Sequence, residues 1–204
     1  MNDRPDRPER PGISDEGVAA LRARLGVPQP HPQPPHYLRP NSDAFRHVAE
    51  AYGDDNPLWC DPDHATASVW GGPIAPPHLA GGDTMVGENE VTTLDADTTA
   101  LLKGDPLRGA HAFYAGSHRE WWRPLRPDRR VTRRNALVGV HDKVSEFATR
   151  AVHEWTAEVF ACPEVPEVLA AQYRCMIRTE RTEAEERGKY DDTELRPYTD
   201  DELA

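Results

Sequence analysis

Apolar positions change their period once along the chain, and that change divides it. Between Asn41 and Gly53, Phe45, Val48, Ala49 and Tyr52 recur at helical spacing. This predicts an amphipathic helix capped by Asn41 or Ser42 and stopped by Gly53. Upstream, Val18, Leu21 and Leu25 share one face behind Ser14, which predicts a short capped helix ended by Gly26. A second short helix is expected near Asp61, where Pro62 suits a first turn. After about residue 108 the period becomes two. In "FATRAVHEWTAEVF", Arg150, Glu154 and Glu158 fall on one face and Phe147, Ala151, Trp155 and Val159 on the other. "RVTRRNALVGVHDKV" and "EVLAAQYRCMIRTE" alternate in the same way. Three long strands are predicted, with turns at Asp142-Lys143 and Cys162-Pro163, forming an antiparallel meander. Helices first and strands later make the fold α+β, one sheet packed on helix.

Composition trims this picture at both ends. With 204 residues, the chain suffices for one domain with arms. Only 37% is hydrophobic and 20 residues are proline. The expected division is an arm over residues 1–40, a domain over 41–181 and an acidic polar tail over 182–204. In the arm, 1–13 is charged, Pro-rich and expected to be disordered. "VPQPHPQPPHYLRP" carries six prolines and is expected to be an extended strap. "GGPIAPPHLAGG" is backbone punctuation, and the stretch through Thr84 and Met85 is only weakly helical by propensity.

Charge narrows the partners. A net charge of −11, from 24 Lys+Arg against 35 Asp+Glu, argues against a duplex nucleic-acid binder. Seven arginines between Arg119 and Arg134 form either a solvated strand face, the preferred reading, or a landing site for cofactor or carrier phosphates. Cys60, Cys162 and Cys175 make no CxxC and no even framework, as expected of reduced thiols in the cytoplasm. No apolar run reaches membrane-spanning length, so no membrane partner is expected.

The candidate chemistry is concentrated in "YGDDNPLWCD", Tyr52 to Asp61. A carboxylate, an Asn-Pro turn and a second Asp stand in order, with a tryptophan where an imidazole would complete an acid–base pair. "FRHVAEAYGDDNPLWCDPDHA", then "GGPIAPP" and "REWWRPLRPDRRV", together resemble the MaoC-like hydratase/dehydratase family, closest to its FAS1-like dehydratase branch. The resemblance spans roughly residues 40–180. It implies a single hot-dog domain, an antiparallel sheet wrapped around a long central helix, with the site on the loop after the first helix.

Catalytic members carry D-x-N-P-x-H-x-D. There Asp and His hold the water that adds to, or leaves from, the β-carbon of an enoyl thioester, which requires a proton donor and acceptor near operating pH. A glycine N–H at the start of the central helix stabilises the thioester oxygen as it gains charge. Carried over by position, Asp54 matches the catalytic Asp, Asn56 and Pro57 the turn, and Asp61 the helix-capping acid. The His position is Trp59, whose indole only donates. The glycine position is Pro77, which has no N–H.

The bland readings stand beside these. Asp54 is expected to hydrogen-bond turn amides, and Trp59 to anchor a core or an interface. His64 or His78 could replace the lost imidazole, although each is more readily structural. His31 and His36 lie in the strap, and Asp61 with His64 offers too few ligands for zinc. Trp121 and Trp122 read as a strand entering a turn. The candidate site is Asp54 as the family's catalytic position, with Asn56, Trp59, Pro77 and His78 as substrate contacts and no metal.

The leading functional expectation is a non-catalytic, substrate-shaping subunit of an enoyl-thioester hydratase/dehydratase, paired with a catalytic hot-dog partner. It would need no cofactor of its own, the acyl group riding on coenzyme A or a carrier protein. The alternatives are a self-sufficient homodimeric dehydratase, isomerase or cyclase rebuilt around Asp54, and a non-enzymatic acyl-binding module.

Overall fold

The computed structural model describes residues 12–31, 33–80, 86–145, 149–165, 167–180 and 198–199. In chain order these form α1 (Asp15–Arg22), β1 (Pro28–Gln29), α2 (Ser42–Ala51), α3 (Pro57–Cys60), α4 (Pro62–Ala67), a 3-10 turn (Pro77–Leu79), β2 (Glu88–Asn89), α5 (Ala96–Leu102), β3 (His111–Trp121), β4 (Thr132–Ser145), β5 (Thr149–Cys162) and β6 (Glu167–Thr179). The sheet runs β1-β4-β5-β6-β3, with β2 alongside β4. All long pairings are antiparallel; only β2 runs parallel to its neighbour. The α+β reading holds, and the sheet is that of a hot-dog domain.

Helix α2 is where the sequence placed it, for the reasons expected. Asn41 Oδ1 accepts the Ala44 N–H at 2.9 Å, while Phe45, Val48 and Ala49 are buried. Gly53, at φ +68°, ends it: its N–H reaches the Glu50 carbonyl at 3.0 Å and the Asp54 N–H reaches Ala49 at 2.9 Å. That paired closure needs the left-handed conformation glycine adopts without strain. Phe45 and Val48 pack with Leu79, Val86, Val131, Phe160 and Leu169 in the main core. Tyr52 departs from the predicted face: as the C-cap residue it is 68% exposed. Among the described residues no helix is longer than α2's ten. The chain that follows the Pro77 turn is described again from Val86, and there it is extended, bridging Tyr37 and then pairing as β2 with β4. Thr84 and Met85 lie outside the described residues.

The arm is more structured than its composition suggested. Ser14 caps α1, and Ile13, Val18 and Leu21 join Leu107, Leu137 and Val152 in a second core cluster. Ile13, expected in a disordered stretch, is buried. Leu25 leaves the α1 face, because the helix stops at Arg22 and Leu25 bridges Leu137 instead. Part of the strap becomes β1, pairing Pro28 and Gln29 with Ala136 and Asn135; an edge strand tolerates proline. Residues 1–11, and the 182–204 tail apart from Tyr198 and Thr199, lie outside the described residues.

One strand expectation is corrected. Asp142-Lys143 is no turn, because Asp142 pairs with Val152 and Lys143 with Ala151 within β4 and β5. Alternation left open which face of β5 is buried, and the Arg150/Glu154/Glu158 face turns inward. It carries Val152, Phe160 and Cys162 into the core, with Glu158 only 1% exposed. A carboxylate is held there because Arg133, equally buried, lies 3.5 Å away and also donates to the Gln33 carbonyl at 2.9 Å. Paired charges are the form in which burial is tolerated.

Candidate functional site

The closure of α2 delivers Asp54 directly into the loop. Its Oδ1 accepts the Asn56 N–H at 3.1 Å, and its Oδ2 accepts the Trp59 indole N–H at 3.1 Å. Asn56 in turn caps the single turn α3, its Oδ1 accepting from Leu58 N–H at 3.0 Å, with Pro57 at the first helical position. Sequence periodicity missed α3 because four residues show no period. Asp61 caps α4 as expected, accepting from the Asp63 and His64 amides. Both oxygens of Asp54 are therefore engaged by the chain itself, one by the Asn56 amide and one by the Trp59 indole.

Trp59 is half-buried and packs against the main core. It is thus an anchor for the core of its own domain, the first of the two structural roles weighed above. Trp59→Ala is expected to cost about 2–4 kcal/mol, from lost packing and a released Asp54 oxygen. Chemical denaturation checks this, with sedimentation to show an unchanged oligomer; wild-type stability would refute it. Cys60 Sγ sits 3.8 Å from the Asp54 carbonyl. Burial first, then the Asp54 charge, raises its pKa, so the thiol stays protonated and is a poor nucleophile.

Pro77 opens the 3-10 turn. Its carbonyl and that of Ala80 both accept from the Trp121 indole N–H, at 2.7 and 2.8 Å. Trp121, which the sequence marked without assigning it chemistry, therefore clamps this turn from β3. His78 projects from the same turn, its ring centroid 4.5 Å from that of Tyr52. The ring hydrogen-bonds the Val48 backbone near the end of α2. Desolvation leads in lowering its pKa, the Asp54 charge opposing and the Arg119 charge assisting, which disfavours the charged imidazole. The loop and this turn thus meet at the end of α2, bringing His78 within the field of Asp54. His64 is left exposed on α4, and His31 contacts Gln33 within the strap.

A cavity of about 410 Å³ lies against Pro77 and the residues that flank the turn, Pro76 and Ala80. Trp70, Ile74, Pro76, Pro77, Trp121 and Trp122 are among the residues lining it. Its volume is in the range of small-molecule sites.

Five arginines of the run are engaged within the chain. Arg123 pairs with Glu167, Arg130 with Glu88, Arg134 with Glu90 and Arg133 with Glu158. Arg126 donates to the Trp70, Gly72 and Pro73 carbonyls. Among the described residues, no helix is long and apolar enough to cross a membrane.

Comparison with known proteins agrees with this geometry. The family described as "FAS1-like, dehydratase domain region" matches residues 41–158, from the α2 cap to the middle of β5. The chain belongs to this FAS1-like dehydratase family. Solved structures show the shared fold. The ChsH1–ChsH2 complex from Mycobacterium tuberculosis matches with a TM-score of 0.56 at 21% identity, over 81% of this chain and 90% of that one. A MaoC-like dehydratase gives 0.52 at 16% identity, over 79% of this chain and 44% of its own. A C-terminally truncated HadBC (3R-hydroxyacyl-ACP dehydratase) complex from Mycobacterium tuberculosis gives 0.50 at 13% identity, over 76% and 96%. No curated protein matches the sequence significantly.

Proposed function

We propose that this FAS1-like dehydratase chain is a non-catalytic, substrate-shaping subunit for hydration or dehydration of acyl thioesters. Its partner is a second hot-dog subunit that carries the Asp–His pair. The observation that carries this reading is the engagement of Asp54 by Trp59. In a working site an imidazole would share a water with the carboxylate and exchange protons with it. Here an indole, which cannot titrate, takes that place and donates to the carboxylate oxygen. Pro77 supports the same reading, since the residue that opens the turn has no N–H to offer a thioester oxygen. The subunit's contribution is a wall: the Trp-lined cavity for an acyl group carried on coenzyme A or carrier-protein phosphopantetheine, with no cofactor of its own. The three unpaired cysteines suit a cytoplasmic setting.

The sheet supports pairing. Among the described residues β3 bonds only β6 and ends the strand order, leaving an edge of 11 residues with Phe113 and Tyr114 exposed. Such an edge is a template for a second strand. Two of the similar structures, ChsH1–ChsH2 and HadBC, are themselves complexes.

Co-expression with a hot-dog protein bearing D-x-N-P-x-H, followed by native mass spectrometry, tests the proposal. The expected result is a hetero-oligomer whose hydratase activity depends on the partner's His. A fully active homodimer would favour the self-sufficient reading. A chain that binds acyl thioesters and joins no partner would favour the binding module.

A further inference from the structure

Three of the chain's five tryptophans, Trp70, Trp121 and Trp122, stand around the cavity beside the Pro77 turn. Trp70 comes from a segment some fifty residues before the other two, and all three leave between 41% and 49% of their surface exposed. Single exposed aromatics need no explanation, but three gathered around one hollow mark a binding site.

The walls are held in place by the chain itself. The Arg126 guanidinium donates to the carbonyls of Trp70, Gly72 and Pro73 at 2.6, 3.0 and 3.3 Å, which pins the segment that carries Trp70. The Ala75 N–H reaches the Leu125 carbonyl at 2.9 Å, and the Trp122 N–H reaches that of Leu169 at the same distance. The Trp121 indole is fixed through its N–H by the Pro77 and Ala80 carbonyls. Pro76, Pro77 and Pro124 add walls whose backbone has little freedom to swing. Arg123, the charged residue of the lining, pairs with Glu167 at 2.9 Å, so the recess presents no unmatched charge.

A cavity with fixed walls cannot close around a thin chain, and every gap left forfeits dispersion contacts. A straight alkyl chain also loses rotamer freedom on entry, whereas a planar ring has little to lose. Indole faces and edges offer offset-stacked and edge-to-face contacts that an aromatic partner returns and an alkyl chain does not. We propose that the cavity is a seat for an aromatic ring carried by the acyl group. This rests on the acyl-thioester reading above and narrows its substrate to aryl-bearing acyl groups. Trp70 and Trp122 are the specificity-determining residues. Trp121 is a positioning residue as well as a wall, because its N–H holds the turn.

Isothermal titration of the full chain with 3-phenylpropanoyl-, 3-cyclohexylpropanoyl- and nonanoyl-coenzyme A tests the seat. The three acyl groups have equal carbon counts and the same pantetheine arm, so a difference between them belongs to the ring. The phenyl compound is expected to bind about tenfold or more tightly than the nonanoyl one, the scale of one or two aromatic contacts, and more tightly than the cyclohexyl one. In Trp70→Leu and in Trp122→Leu, which keep an apolar wall, that preference should fall towards parity. Unfolding curves show that each variant is folded, and one folded variant suffices. Nonanoyl- or cyclohexylpropanoyl-coenzyme A binding as tightly as the phenyl compound overturns the seat and leaves the acyl-thioester reading standing. A preference that survives both substitutions also overturns it. Binding of none of the three probes overturns the seat together with the cavity's role as an acyl wall, while co-assembly with a partner is read separately by native mass spectrometry.

Discussion

Purified without a partner, the chain is expected to leave enoyl thioesters essentially unhydrated. On the proposed reading, two losses act on one transition state. The imidazole that would exchange a proton is replaced by Trp59, whose indole N–H is committed to Asp54 Oδ2 at 3.1 Å. A positioned acid–base group is worth about 10²–10⁴-fold. The N–H that would meet the developing enolate is missing at Pro77, and one such donor is worth about 10²–10³-fold. The losses are not strictly additive, yet a deficit of at least about 10⁴-fold against a working relative is expected. A spectrophotometric assay with a short enoyl thioester measures it. A turnover near the typical enzyme value of about 10 s⁻¹ from the isolated chain would refute the prediction.

Trp59→His by itself is expected not to restore that activity, although it completes the Asp54-Asn56-Pro57-His pattern. It exchanges the indole for an imidazole beside Asp54, so water can be held and activated. The thioester oxygen still meets a turn whose first residue cannot donate. Pro77→Gly adds an N–H at that first position, where the turn's own hydrogen bonds leave it free to point outward. Trp121 holds the carbonyls of Pro77 and Ala80, so the turn should keep its shape when the proline ring is removed. The glycine costs up to about 1 kcal/mol in chain entropy. Removing Trp59 weakens the core as well, so unfolding curves must accompany the rates. We expect the double variant to exceed either single one by more than the product of their separate effects, because water activation and enolate stabilisation act in the same step. Strong activity from Trp59→His alone would mean that another donor already serves the oxygen, and Pro77 would then not be the second lesion.

These predictions rest on residues that differed in how far they could be read beforehand. Asp54, Asn56 and Asp61 were legible as cap and turn residues, since a short polar side chain acts on amides two or three positions away. Trp59 was legible as a side chain that cannot titrate, because its identity alone rules that out. Its hydrogen bond to Asp54 was not, since an indole five residues along can face the carboxylate, the core or a partner. The arginine run shows the same limit. Its sequence is one basic stretch, but strand alternation and the glutamates of other elements divide it into separate pairs.

What the sequence determined by itself is local: the α2 helix with its cap and glycine stop, the capped loop beyond it, the period-two strands, and the absence of an imidazole at position 59 and an N–H at position 77. Each follows from contacts within a few residues, which spacing and side-chain chemistry encode directly. Only the tertiary structure decided which strand face is buried. Alternation gives two faces without saying which one meets the helices, and the Arg133–Glu158 pair lets the charged face turn inward. It also decided the assembly around the Pro77 turn. Tyr52, His78 and Trp121 come from the end of α2, the turn and β3, separated by tens of residues. Their meeting depends on strand register and on Trp121 reaching two carbonyls across the fold, a long-range arrangement that no local pattern records.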